Sequence, residues 1–185
     1  MTYDTDMHPE ILRLQLSEEE LLVAELEYLN IGYLSRQSHY RAEQARPAQR
    51  LFADLLRQPN SRVRTASIAL LLAHPEFAPA IPECAETLPL AMRQTLKLFY
   101  TAAVLLQRVY ASRLRPFMGG TWQWLPDYFS KELELEENED ARQQLKELER
   151  IHQKRTGVVL NWSGTYENVA QHLIRRWELE RTWKL

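Results

Sequence analysis

The longest periodic stretch of the chain runs from Leu88 to Leu114 and reads LPLAMRQTLKLFYTAAVLLQRVYASRL. Leu96, Phe99, Ala103, Leu106 and Tyr110 recur at helical spacing and share one face. Leu98, Ala102, Leu105 and Val109 form a second apolar row beside it. Together the rows are wider than the apolar stripe of a surface helix, so more than one neighbour must cover them. At about 100° per residue, Arg93, Lys97, Thr101, Arg108 and Arg115 fall on one narrow polar stripe, interrupted only by Val104. The pattern predicts a central helix at about residues 89–115. It should open near Leu88 or Pro89 and end before Pro116 and the Gly119-Gly120 pair. Its nearly pure apolar run, Leu96 to Leu106, is shorter than the roughly 20 residues a membrane span requires, and it contains Lys97.

The same patterning divides the rest of the chain. Residues 1–7 read as a flexible tail, followed by a short helical stretch from Glu10 to Leu16. Ser17 and Glu20 form a capping box. The helix it opens carries Leu21, Leu22, Ala24, Leu26, Leu29, Tyr33 and Leu34, and runs to about Gln37 or on to Gln44. Pro47 suits the first turn of a helix with Leu51, Phe52, Leu55 and Leu56 inside, ending before Pro59. Asn60-Ser61 offers an N-cap for a helix from about Arg62 to Ala73, with Ile68, Leu71 and Leu72 in the core beside Val63 or Leu70. His74 is expected to satisfy a helix C-terminal carbonyl. Pro75, Pro79 and Pro82 predict turns, with one helical turn at Glu83 to Thr87.

Beyond the central helix, Pro126-Asp127 opens a short helix, DYFSKEL, and ELELEENED over 132–140 reads as a surface link. Asn138 or Asp140 caps a surface helix running to about Lys154, which Thr156-Gly157 ends. Val158-Val159-Leu160 reads as an extended, packed connector. Ser163 or Thr165 caps the last helix, whose buried line is Tyr166, Val169, Ala170, Leu173 and Trp177. The fold expected is all-α: a single domain over 8–185, an orthogonal or bundle-like array of six to eight helices around the central one.

Composition agrees. Glycine is scarce, and the hydrophobic fraction of 45% with 26% charged residues is that of an ordinary globular protein. A single cysteine, Cys84, rules out an intramolecular disulfide framework. The start, MTYDTDMHPE, lacks the basic region and apolar core of a secretory signal, so a cytoplasmic location is expected, with no membrane partner. Net charge is −2, but it comes in blocks. Residues 1–35 hold eight acids and one base, while residues 36–64 hold seven arginines and two acids. Such alternation fits segments that neutralise one another, or a partner surface.

Candidate chemistry is sparse. Glu149-x-x-His152 has the spacing of one half of a helical diiron site, but no second Glu-x-x-His exists. His152 is therefore expected at the seam edge and Glu149 in solvent. No metal, cofactor or catalytic residue is assigned. Arg93, Lys97, Thr101 and Arg108 would line an anion site if other elements cover them. Arg46, Arg50 and Arg57 can share a helix face for nucleic acid or a partner, with pairing to the acids of 18–27 or 132–140 as the plainer account. Trp122, Trp124 and Trp183 are candidate exposed aromatic contacts. These features point first to a non-enzymatic helical interaction or scaffold protein, acting as a small partner or regulatory subunit or as a homo-oligomer. A nucleic-acid-associated regulator using 36–64 and an enzyme with an all-helical anion site are the alternatives.

Overall fold

The computed structural model describes residues 16–34, 40–136 and 140–183. Among these residues the chain is an all-α array of seven helices: α1 Glu18–Tyr28, α2 Ala48–Arg57, α3 Ser61–Ala73, α4 Ile81–Thr87, α5 Leu90–Met118, α6 Ala141–Thr156 and α7 Trp162–Trp183. The expected tail over 1–7, the stretch Glu10 to Leu16 (apart from Leu16 itself) and the alternative cap Asn138 lie outside the described residues.

α5 is the centre. Leu96 and every residue from Leu98 to Gln107 are buried, so its middle is enclosed on all sides. α3 lies along it, and α2, α4, α6 and α7 complete the enclosure. α3 is nearly as enclosed: Val63 and all of Thr65 to Leu72 are buried, well beyond the three or four core positions expected. Small residues make this possible. Ala66, Ser67 and Ala69 let neighbouring helices approach, and the hydroxyls of Thr65 and Ser67 donate to their own helix, to Arg62 O and Arg64 O.

Several helix ends follow from local chemistry. Ser17 Oγ accepts from Glu20 N–H, and Glu20 returns a bond to Ser17 N–H at 2.8 Å, a complete capping box. Asn60 Oδ1 caps α3 through Arg62 N–H at 3.0 Å. Asp140 caps α6 through Arg142 N–H, and Gly157 ends it in the left-handed region at φ 68.

Other ends depart from expectation. α1 stops at Tyr28 instead of running to Gln37 or Gln44. Asn30 adopts φ 63, Ile31 N–H reaches back to Leu26 O at 2.8 Å and Asn30 N–H to Glu27 O at 2.9 Å. This is a Schellman closure, with Ile31 buried as its apolar contact. α5 passes through Pro116 to Met118, with non-helical angles at Tyr110 (φ −109, ψ 15). The last turn survives its proline because Leu114 and Met118 are buried and Phe117 packs on Trp177 at 5.6 Å between ring centroids. DYFSKEL is not a helix. It forms a single turn closed by Leu135 N–H to Ser130 O at 3.0 Å, with Glu134 at φ 60. Val158–Leu160 is not packed but exposed. α7 is capped by Asn161, which accepts Gly164 N–H at 2.8 Å, so neither Ser163 nor Thr165 is the cap. His74 does satisfy a helix C-terminal carbonyl, but across the fold: its ring Nε2 meets Leu29 O of α1 at 2.8 Å.

The Asn30 closure yields a test. A β-branched side chain cannot take φ 63 cheaply, whereas glycine can. Asn30→Val should lower the unfolding free energy by about 1–2 kcal/mol, and Asn30→Gly should leave it nearly unchanged, both read from urea melting curves.

Candidate functional site

The polar stripe of α5 is where the fold brings most chemistry together. Residues 122–135 lie over it as a strap. Lys97 Nζ donates to both Glu132 oxygens at 2.7 and 2.8 Å, and sits 5.3 Å from the centre of the Phe129 ring. Arg108 donates to Asp127 at 3.2 Å. Thr101 is fully buried and its hydroxyl donates to Lys97 O at 2.9 Å. Arg93 points elsewhere, to Glu86 O at 3.0 Å and the Glu86 carboxylate at 3.7 Å, closing the α4–α5 corner. Covering the stripe thus introduces its anions as well: Glu132 and Asp127 come with the strap. Thr101 adds no donor outward, and Arg93 does not face the other three.

Two further residues of α5 do as much for the strap as the charged ones. Buried Gln107 donates from Nε2 to Gln123 O at 2.9 Å and accepts Leu125 N–H at 2.8 Å. Tyr100 donates its hydroxyl to Pro126 O at 2.7 Å and stacks on Tyr128 at 5.3 Å. Burial, followed by the nearby Tyr128 and Asp127, raises the Tyr100 pKa far above its ordinary value, so it stays a donor. The sequence carried a signal for Gln107: an amide directly after the apolar run Leu96 to Leu106, between the core positions Leu106 and Tyr110, must find partners once buried.

Arg46 is the hub of a second cluster. It bonds Glu25 through Nε at 3.0 Å and Nη2 at 2.8 Å, Glu18 at 2.5 Å and Asp54 at 2.5 Å, while its own N–H donates to Glu25 at 2.9 Å. Burial opposes its charge, but the hydrogen bonds to Glu25, Glu18 and Asp54 outweigh it and raise the pKa. Asp54 also takes Arg57 at 2.9 Å and Arg50 at 3.5 Å. The three arginines meet at one carboxylate without sharing a helix face, since Arg46 precedes the start of α2, and every donor group of Arg46 faces an acid. The arrangement is that of internal pairing with the acids of α1. Beside it lies a cleft of about 480 Å³ lined by Glu25, Gln44, Ala45, Arg46, Pro47 and Arg50.

The third cluster surrounds His152, which is 2% exposed. Its ring stacks on Trp162 at 3.6 Å between centroids, and Nδ1 meets the Tyr166 hydroxyl at 2.5 Å. Desolvation lowers its pKa to about 4. Glu149 is not left to solvent: it accepts Trp162 N–H at 3.1 Å and Ser163 Oγ–H at 2.8 Å, placing its negative charge at the N-terminus of α7. The pair at 149 and 152 thus joins α6 to α7. Among the described residues, no group of three or more His, Cys, Asp or Glu residues is placed to hold a metal ion. Cys84 is buried, donates weakly to Gln49 O at 3.4 Å, and has its pKa raised by burial.

The candidate aromatics separate. Trp122 and Trp124 pack edge to face at 5.2 Å, Arg115 lies over Trp122 at 5.6 Å, and Trp124 remains 55% exposed. Trp183 stands apart near the end of α7 at 81% exposed. No described helix is long and apolar enough to cross a membrane. No protein-family model, curated protein or solved structure matches this chain.

Two of these clusters make measurable predictions. Gln107→Leu strands Gln123 O and Leu125 N–H under the strap, which should cost about 1–3 kcal/mol and speed hydrogen exchange at Leu125. His152 holds no proton in the folded state until about pH 4, whereas the unfolded chain takes one up near 6.5. The unfolded state therefore binds more protons within that window. Its contribution to stability is intact above the unfolded pKa and is lost as pH falls toward the folded one, at up to about 1.4 kcal/mol per pH unit. His152→Phe should remove that part of the slope, seen by comparing urea midpoints of the two chains across the window.

Proposed function

We propose that this chain is a non-enzymatic helical interaction protein, serving as a small partner or regulatory subunit of another protein or associating with a second copy of itself. The observation that carries this reading is the last turn and a half of α7. Leu179 and Trp183, four residues apart on that helix, are 45% and 81% exposed. Arg175, one turn before Leu179 on the same face, is exposed and without an ion pair among the described residues. An exposed aromatic with an aliphatic neighbour and an arginine on the same face is the composition of an interface centre. The regulator reading through Arg46, Arg50 and Arg57 has less support, since Glu18, Glu25 and Asp54 already neutralise that cluster. The enzyme reading rests on the α5 stripe, where Glu132 and Asp127 occupy the cations.

Light scattering on the purified chain, and on the chain mixed with any stably co-purifying protein, tests the proposal. Association is expected, and Leu179→Ala with Trp183→Ala should weaken it by at least about thirtyfold. A chain that stays monomeric and partnerless at high concentration, or a double variant that associates as tightly as the parent, would refute it.

A further inference from the structure

The turn between α6 and α7 carries three consecutive exposed apolar residues, with Val158, Val159 and Leu160 at 45%, 84% and 50%. It is braced at its backbone. The Trp162 indole N–H donates to Val158 O at 3.3 Å, and Gln153 Nε2 donates to Leu160 O at 2.8 Å. The main chain is held down while the side chains are held out. The one carboxylate shown bonded at the base of the turn, Glu149, is taken up by Trp162 N–H and Ser163 Oγ–H. From Arg150 to Tyr166 there is no Asp or Glu, although the chain as a whole carries −2. Lys154 and Arg155, in the last turn of α6, are exposed and take no ion pair among the described residues.

We propose that this turn docks on an anionic lipid surface. Val158, Val159 and Leu160 enter the boundary between headgroups and acyl chains, and Lys154 and Arg155 meet the anionic headgroups. The size of the tip favours lipid over protein. A specific protein interface takes roughly 800 Å² from each partner, and three small side chains supply only a fraction of that. A fluid surface accepts a small tip without needing a matching shape. Charge complementarity supplies the rest, because free cations beside an apolar tip are the combination that anionic bilayers bind. Trp162, half-buried at the base, is the residue type that settles at headgroup level. The expectation of no membrane partner rested on the lack of a secretory signal and of a spanning segment, and surface docking needs neither. The site is separate from the Trp183 face. α7 has 22 residues, so the two lie about 33 Å apart along it.

Flotation of the full chain with phosphatidylcholine vesicles containing about 30% phosphatidylserine tests the proposal. Binding is expected at low salt, weaker at high salt, and absent with pure phosphatidylcholine. Val159→Asp with Leu160→Asp should reduce it at least about tenfold. Lys154→Gln and Arg155→Gln should each reduce it about fivefold. Circular dichroism and melting midpoints should stay unchanged in all of them, since these side chains are exposed. Leu179→Ala with Trp183→Ala should float like the parent chain, which separates this proposal from the interaction reading. No flotation at low salt, equal binding to neutral vesicles, or tip variants that float normally would overturn it. So would tip variants that lose self-association while vesicle binding persists, which would make the turn a protein interface.

Discussion

A helix whose middle is buried all round must be covered on every side, and α5 imposes that demand on the whole chain. Its enclosed middle, Leu98 to Gln107, needs more surface than one neighbour can offer. α3 meets part of it by being almost as enclosed itself, with alanines and a serine allowing close approach. α6 and α7 meet another part through Leu145, Leu148, Tyr166 and Leu173. The remaining side is the polar stripe, and no helix covers it. An irregular strap does.

That choice has a physical basis. A strap brings unpaired backbone groups, and a helix face with donors and acceptors can satisfy them. Gln107 and Tyr100 bond the strap's main chain, while Lys97 and Arg108 bond its carboxylates. Leu125, Phe129, Leu133 and Leu135 then bury their side chains. The same economy recurs elsewhere. Arg64 closes the end of α2 by donating to Gln58 O and Pro59 O, His74 closes α1, and Glu149 opens α7. Inward-facing polar groups in this protein act chiefly as fasteners between elements.

With so much polarity spent inside, the informative surfaces are the apolar ones left outside. The α6–α7 turn and the far end of α7 sit at opposite ends of one helix. Each combines exposed apolar side chains with at least one cation that takes no ion pair among the described residues, in a chain whose net charge is negative.

Periodicity determined the helices, because burial of one face leaves its mark every three to four residues. It located α2, α3, α5, α6 and α7, and it named α5 as the centre. Capping chemistry is local, so Ser17, Asn60, Asp140 and Gly157 were legible too. The arginine block and the acids of α1 showed as charge blocks, but their meeting at Arg46 depends on a contact 21 residues apart from Glu25. Tertiary structure alone decided the rest. It carried α5 through Pro116 by burying Leu114 and Met118 on either side of the proline, and it stopped α1 at a left-handed asparagine. It turned an expected short helix into a strap and left an expected packed connector bare. Above all it settled the α5 stripe. A row of cations on a helix looks the same in sequence whether it faces water, a ligand or the chain's own carboxylates. Only the path of residues 122–135 supplied Glu132 and Asp127, because distance in space, not order along the chain, determines which charges meet.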